Sequence, residues 1–534
     1  MKTLFLIGAA FFSSLTFGQT LKDAIYKTDN ERYADALKEF AALVKADPMN
    51  GEIYFYYGDC YFEKGIADSA KMMWNKGYEV DKIKAMPYVG YGRVLWMTGK
   101  TAEAKVEFEK ALALTKKDKV KRAEVIRGMA KTYIKSDNKD LDQAILIIEE
   151  AILKDPKNED NLLIKGDALY AKTQDNASAA IKAYLAVLDI NPKSARGIVR
   201  VAKIYQAAQN PEKALEMYKD AKLKDSTYAP AYRANAELNM LLGKKKAAID
   251  DWQKYLNLNN NMEARYLYTS ALFNAKQYCE TIEEVTKLNA KNFSNFYTER
   301  MLAFSYLECT VDSNAISKGL EASNRFFAIV PSNMINYLDY KTRGSLYYKA
   351  GKDSLGMLEF EKAIKVNDIA AKELTAELAS KYFKAKNFNK AIELYTMRAK
   401  LIPLTAAEEY EFGKAIYSGT KDYVLADSTF ARVIQLSPNY APAYLWRARS
   451  NFQLDSKNER WAAQPYYEKI IELVKPEDRV KPSNKGMMLE ACRYLCDYYA
   501  KSEAKDLTKT KSFYEMILQI DPTDAKAKEA LGIK

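Results

Sequence analysis

The sequence predicts an all-α fold, a solenoid of about fourteen stacked helical hairpins. Three observations predict it. Residue types recur at a fixed step of 34: Ala36, Ala70 and Ala104 keep it, and so do Phe40, Trp74 and Phe108 four positions later. The phase returns with Ala180, Ala214 and Ala248, followed by Tyr184, Tyr218 and Trp252. Glycine and proline are scarce, 21 and 14 of 534 residues, which disfavours β-sandwiches and linker-rich chains. Finally, 48% hydrophobic and 28% charged residues make a globular composition, yet the length exceeds what one compact core holds.

Residues 1–18 read as an export signal. Lys2 is the charged start, Leu4 to Phe17 form an apolar run, and Thr16 and Gly18 supply small residues before a cut that leaves Gln19 first. The run is short for a membrane span. No cysteine follows it directly, the first being Cys60, so no lipid anchor is expected at this end. No later stretch approaches about 18 uninterrupted apolar residues, so no transmembrane span is expected. The mature chain is expected to be exported and periplasmic, free or peripheral to the outer membrane.

Residues 19–287 form a first array of repeats and 338–475 a second. In each copy a small residue of the first helix lets its partner helix approach: Gly58, Gly92, Gly166, Ala202, Ala236, Gly344, Ala379, Gly413 or Ala448. About twelve residues later a second small residue marks the other side of the contact. One helical turn on stands an aromatic, Phe40, Trp74, Phe108, Tyr184, Tyr218, Trp252, Phe360, Tyr395 or Phe430, expected to be core and to fill the gap to the next hairpin. Tyr467 and Tyr514 are the equivalents in the last copies. Prolines such as Pro48, Pro156, Pro192, Pro403 and Pro522 close the second helices.

The departures locate the remaining segments. Extra residues enter near Asp140 and Asn176. The stretch 288–337 is a degenerate repeat region; just before it, Thr281 and Val285 stand where alanine and an aromatic belong, so the array is expected to bend or loosen there. Residues 476–522 hold a polar loop, Pro476 to Asn484, and the last repeat; 523–534 are a capping helix carrying Ala525, Ala527, Ala530 and Leu531.

The chemistry is narrowed by what is missing. With no histidine, histidine-based triads, common zinc-hydrolase ligand sets and imidazole switches are excluded. Lys+Arg 82 against Asp+Glu 70 gives +12 at pH 7, too dilute for the basic face of a nucleic-acid binder, so no nucleic acid is expected. Cys492 and Cys496, four apart on one helix face, read as small core residues rather than metal ligands; Cys279 and Cys309 are spaced to meet across neighbouring repeats, and their pairing stays open. Glu149 and Glu150, Glu283 and Glu284, and Glu408 and Glu409 are adjacent on helices and diverge by about 100°, which suits solvated charge better than acid–base catalysis. Gly90 and Gly92 lack the preceding strand and third glycine of a dinucleotide loop. The basic runs Lys116 to Arg122 and Lys244 to Lys246 fall in turns. No catalytic residue, cofactor or metal is expected.

The 34-residue pattern resembles the tetratricopeptide repeat family, whose unit carries a small residue, alanine, an aromatic and proline at these spacings. Clear copies include Tyr54 to Tyr61 and the run from Gly92 through Ala104 and Phe108 to Ala111. The resemblance implies a right-handed superhelix whose first helices line a concave groove that binds proteins. Four residues after the small position the first helices carry Phe62, Trp96, Tyr170, Tyr348, Phe383, Tyr417 and Phe452, interrupted by Gln206 and Met240. Two readings stand: the rings complete the core, or they line a groove that grips peptide or stacks on sugar rings. Just after the small residue stand Asp59, Arg93, Asp167, Lys203, Glu237, Ser345, Ser380, Lys414 and Arg449, without the lysine and asparagine set with which the family's chaperone adaptors hold a terminal carboxylate. The Asp-Ser steps at 68, 225, 353 and 427 read as helix caps, and they also resemble the O-glycosylation sites of exported proteins in some Gram-negative bacteria. The expected function is a non-catalytic exported scaffold binding protein partners along its groove, in cell-envelope assembly or secretion. The alternative is a polysaccharide-binding solenoid of envelope export.

Overall fold

The computed structural model describes residues 20–173, 177–309 and 312–533. The export signal and the insertion at Asn176 lie outside them. All regular structure among the described residues is helical, thirty α-helices and two short 3-10 helices. The chain divides into two compact units, one ending at Phe293 and the other beginning at Ser294, within the stretch read as degenerate. The first unit stacks eight helical pairs, spanning 21–46, 51–80, 86–114, 119–154, 159–190, 195–224, 229–259 and 262–289. The second stacks six, spanning 296–329, 337–364, 368–401, 406–436, 441–473 and 482–520, and the helix Ala525–Ala530 covers its last hairpin. None of the described helices is long and apolar enough to cross a membrane.

The small residues of the first helices exist to receive a ring. A Cβ on Gly58 would stand 2.4 Å from the Trp74 Nε1, one on Gly92 2.5 Å from the Phe108 ring, and one on Gly166 2.3 Å from the Tyr184 ring. Gly344 and Gly413 repeat the arrangement with Phe360 and Phe430, at 2.6 and 2.7 Å. Each aromatic thus packs first against the glycine of its own hairpin rather than only bridging to the next. It still reaches the neighbour, because a Cβ on Gly90 would lie 3.2 Å from Trp74. Trp74, Phe108, Tyr218, Phe360 and Phe430 are all buried, and the Trp74 N–H is satisfied by the Phe55 carbonyl at 3.1 Å. Thr281 and Val285 keep these buried places despite their departure in type.

Hairpin turns share a second device that the residue pattern did not reveal. Gly65, Gly99 and Gly243 sit at positive φ, and the N–H after Gly99 closes the helix by bonding the Leu95 carbonyl at 2.9 Å. Glu31, Gln209, Lys276 and Lys386 adopt the same left-handed conformation at the equivalent turns. The polar segment at 476 forms a one-turn 3-10 helix, Pro476–Asp478, and Pro482 opens the 20-residue helix Pro482–Lys501. None of the Asp-Ser steps caps a helix start as expected: Asp68 and Asp353 lie in the first turns of their helices without a side-chain cap bond, Asp225 follows the end of the helix Pro211–Lys224, and Asp427 lies inside the helix Tyr423–Leu436, where it accepts a two-toothed bond from Arg447 at 2.8 and 3.0 Å. Cys60, Cys492 and Cys496 are free and buried, and burial pushes the Cys492 and Cys496 thiols up to about 12. That is the chemistry of inert core residues.

Candidate functional site

In the first unit the stack turns until it meets its own beginning. The turn of the first hairpin places Glu31, at φ 59°, against the seventh hairpin. The Glu31 carboxylate accepts from the Arg233 guanidinium at 2.6 and 2.7 Å and from the Tyr255 hydroxyl at 3.2 Å. Beside it, Arg196 of the helix Ala195–Ala207 pairs with Asp29 at 3.2 Å and with Asp160 at 2.6 Å. Tyr26 and Thr227 share a hydroxyl contact of 3.3 Å, and Lys64 reaches Glu263 at 2.8 Å. These contacts form a clasp between segments up to 224 residues apart. In the second unit, by contrast, every ion pair among the described residues lies within a hairpin or between neighbours; Arg300 with Asp339 and Arg449 with Glu490 are examples.

The clasp encloses a charged cavity of about 360 Å³, which is lined chiefly by first helices. Acidic Asp29, Glu31, Glu63, Asp160 and Asp167 face basic Lys131, Lys135, Arg196, Arg200 and Lys203. Most are paired: Arg200 with Asp167 at 2.9 Å, Tyr184 with the same carboxylate at 2.8 Å, and Lys135 with Glu63. Burial raises the Asp29 carboxyl above its ordinary range despite Arg196 nearby. Burial would raise Asp160 too, but Arg196, Lys131 and Arg127 together hold it below. Burial lowers Lys203, and the neighbouring Arg233 lowers it further. Of the residues singled out in the sequence, Asp167, Lys203, Tyr170 and Tyr184 line this cavity. Asp59 and Arg93 pair with each other instead. Arg93 is 3% exposed and also donates to Thr132 at 3.0 Å and to the Gly128 carbonyl at 3.0 Å.

The remaining aromatic positions divide between the units. Phe62 packs on Trp74 with ring centres 5.6 Å apart. Trp96 is 4% exposed; its N–H is committed to the Asn138 carbonyl at 2.7 Å, and its ring meets Tyr133 of the following first helix at 4.7 Å. In the second unit each ring is half-buried and touches the first helix of the next hairpin. Lys381 sits 3.6 Å over the Tyr348 ring, Lys414 5.3 Å over Phe383, Trp446 5.1 Å from Tyr417, and Tyr494 6.1 Å from Phe452. Lys414 also lies 5.3 Å from the Tyr410 ring and 5.6 Å from the Trp446 ring, and it has no ion-pair partner among the described residues. Rings and cations thus alternate across successive first helices of this unit. The sequence pointed to the rings; the cations that sit on them, Lys381 and Lys414, depend on how one helix is set against the next.

The tetratricopeptide repeat family model matches residues 21–70 and 134–195. Tetratricopeptide repeat protein 37 of Xenopus laevis is 21% identical over 218 residues, which cover 41% of this chain. Serine/threonine-protein phosphatase 5 of Mus musculus is 34% identical over 119 residues, 20% of this chain. The chain spans only 13% and 21% of the length of these two relatives. Among solved structures, the C-terminal part of a TPR repeat-containing protein from Cytophaga hutchinsonii is 31% identical, covers 50% of this chain and 99% of its own, and gives a TM-score of 0.39.

Proposed function

Because the chain belongs to the tetratricopeptide repeat family, we propose that it is a non-catalytic, exported scaffold that binds protein partners along the first-helix face of its second unit, in cell-envelope assembly or secretion. The observation that carries this reading is the alternation of half-buried rings and cations on Tyr348, Lys381, Phe383, Lys414 and Tyr417. A partner's apolar side chains bury against the rings, and its acidic groups meet Lys414, which nothing in the fold neutralises. Export rests on the charged start, apolar run and small-residue cut of residues 1–18. Fractionation of cells making the full chain tests it: a mature protein beginning at Gln19 in the periplasm supports export, and an uncleaved cytosolic chain refutes it.

Amphipathic rings of this kind also stack on sugars, which keeps a polysaccharide ligand as the alternative. Joint substitution of Tyr348, Phe383 and Tyr417 by serine, with pull-down and glycan-retention assays run on the same preparation, separates the two. Loss of protein partners supports the scaffold; loss of glycan retention with partners intact supports the alternative. Lys414→Glu provides the second variant, because its side chain fills no core position. It is expected to weaken an acidic partner while costing the fold no more than about 1–2 kcal/mol for its lost ring contacts, read from the melting curve.

A further inference from the structure

The clasped cavity of the first unit carries a polarity that its net charge conceals. Its five carboxylates are already engaged, Glu31 by Arg233 and Tyr255, Asp29 and Asp160 by Arg196, Asp167 by Arg200 and Tyr184, and Glu63 by Lys135. The groups left over are all donors. Lys131, Lys203 and the hydroxyls of Tyr33, Tyr170 and Tyr228 line the same space, and none has a hydrogen-bond or ion-pair partner among the described residues. Tyr228 is 7% exposed, Lys131, Tyr33 and Tyr170 are half-buried, and Lys203 is exposed at the rim. Five donors that line one hollow without a protein acceptor offer an anion several charged and hydroxyl hydrogen bonds at once. Lys203 also sits near Arg233 and Arg200, whose charges add to burial in disfavouring its protonated form, against the opposing Glu31 carboxylate.

We propose that this cavity binds a compact polyoxyanion, a phosphorylated or polycarboxylated small molecule, held by Lys131, Lys203 and the three tyrosine hydroxyls. An anion satisfies all five donors at once through charge-assisted bonds, and a volume of about 360 Å³ suits a small molecule rather than a folded segment. Tyr33 belongs to the first hairpin, Tyr228 opens the seventh and Lys131 lies on the fourth, so the ligand ties together both sides of the clasp. Binding therefore favours the closed turn, by mass action on the state that presents all five donors.

Isothermal titration of the full chain with tripolyphosphate and, separately, with citrate, each at ionic strength fixed with sodium chloride, tests this. The expected result is saturable binding of one molecule per chain by at least one probe. Tripolyphosphate alone identifies a phosphorylated ligand, and citrate alone a polycarboxylate. Lys131→Met with Lys203→Met is expected to weaken binding by about tenfold or more, and Tyr228→Phe, which removes one oxygen from an otherwise unchanged ring, by about three- to tenfold. Circular dichroism and melting curves of each variant establish that it is folded, and the tyrosine variant serves if the double lysine variant is not. Heat no greater than that of the sodium chloride control, or variants that bind as the parent does, would overturn the proposal.

Discussion

At Gly92 the space for a side chain is already taken by Phe108. The ring lies where a Cβ would go, at 2.5 Å, and it cannot retreat because it is itself 1% exposed. Gly92→Ala is therefore expected to cost about 1–3 kcal/mol, read as a lower urea midpoint with an unchanged slope. Gly486, in the helix Pro482–Lys501 with nothing within 4 Å of its Cβ position, is the control: alanine there is expected to stabilise by about 0.5–1 kcal/mol. The turn residues give the opposite test. Lys386 holds φ 60° at a position that Gly65 and Gly99 fill elsewhere, and Lys386→Gly is expected to raise stability by up to about 1 kcal/mol, measured by the same unfolding curve.

The helices themselves were legible. Recurrent alanines and aromatics mark the buried stripe of each second helix, and their step marks the hairpin, because a pair of helices cannot cover its own apolar face and must repeat to do so. The turn signal was harder to read, since Glu31, Gln209, Lys276 and Lys386 share the left-handed turn of Gly65 but not its residue type. At the carboxyl end the helix Ala525–Ala530 depends on one carboxylate. Asp524 accepts from the Ala527 N–H at 2.9 Å and pairs with Arg493 at 2.7 Å. The Arg493 bond, and then the Ala527 N–H, hold its carboxyl below the usual range. A depressed folded value means that this stabilisation is fully present above the ordinary Asp pKa of about 3.9 and is lost as pH falls through the folded value. Asp524→Ala is expected to cost the helix about 1 kcal/mol at neutral pH. Limited carboxypeptidase digestion reads it: the variant is expected to lose 525–534 at neutral pH at a rate the parent reaches only in acid.

At the scale of whole units, the two arrays differ in a way no repeat pattern discloses. Position within a repeat identified Tyr348, Phe383 and Tyr417, because a face is set by local spacing. The clasp joins Glu31 to Arg233 and Asp29 to Arg196, residues whose proximity depends on the summed rotation of six or seven hairpins. A small change per repeat alters that sum, so no local spacing encodes it. The cavity and its uncommitted donors follow from the same closure. Zero-length carbodiimide crosslinking, which joins an amine to a carboxylate only in direct contact, tests the closure most directly. With Lys64 2.8 Å from Glu263, the expected result is a Lys64–Glu263 crosslinked peptide at low protein concentration, diminished by high salt and abolished in Glu263→Gln. Crosslinks confined to neighbouring hairpins, with none between Lys64 and Glu263 at low salt, would contradict the closed first unit.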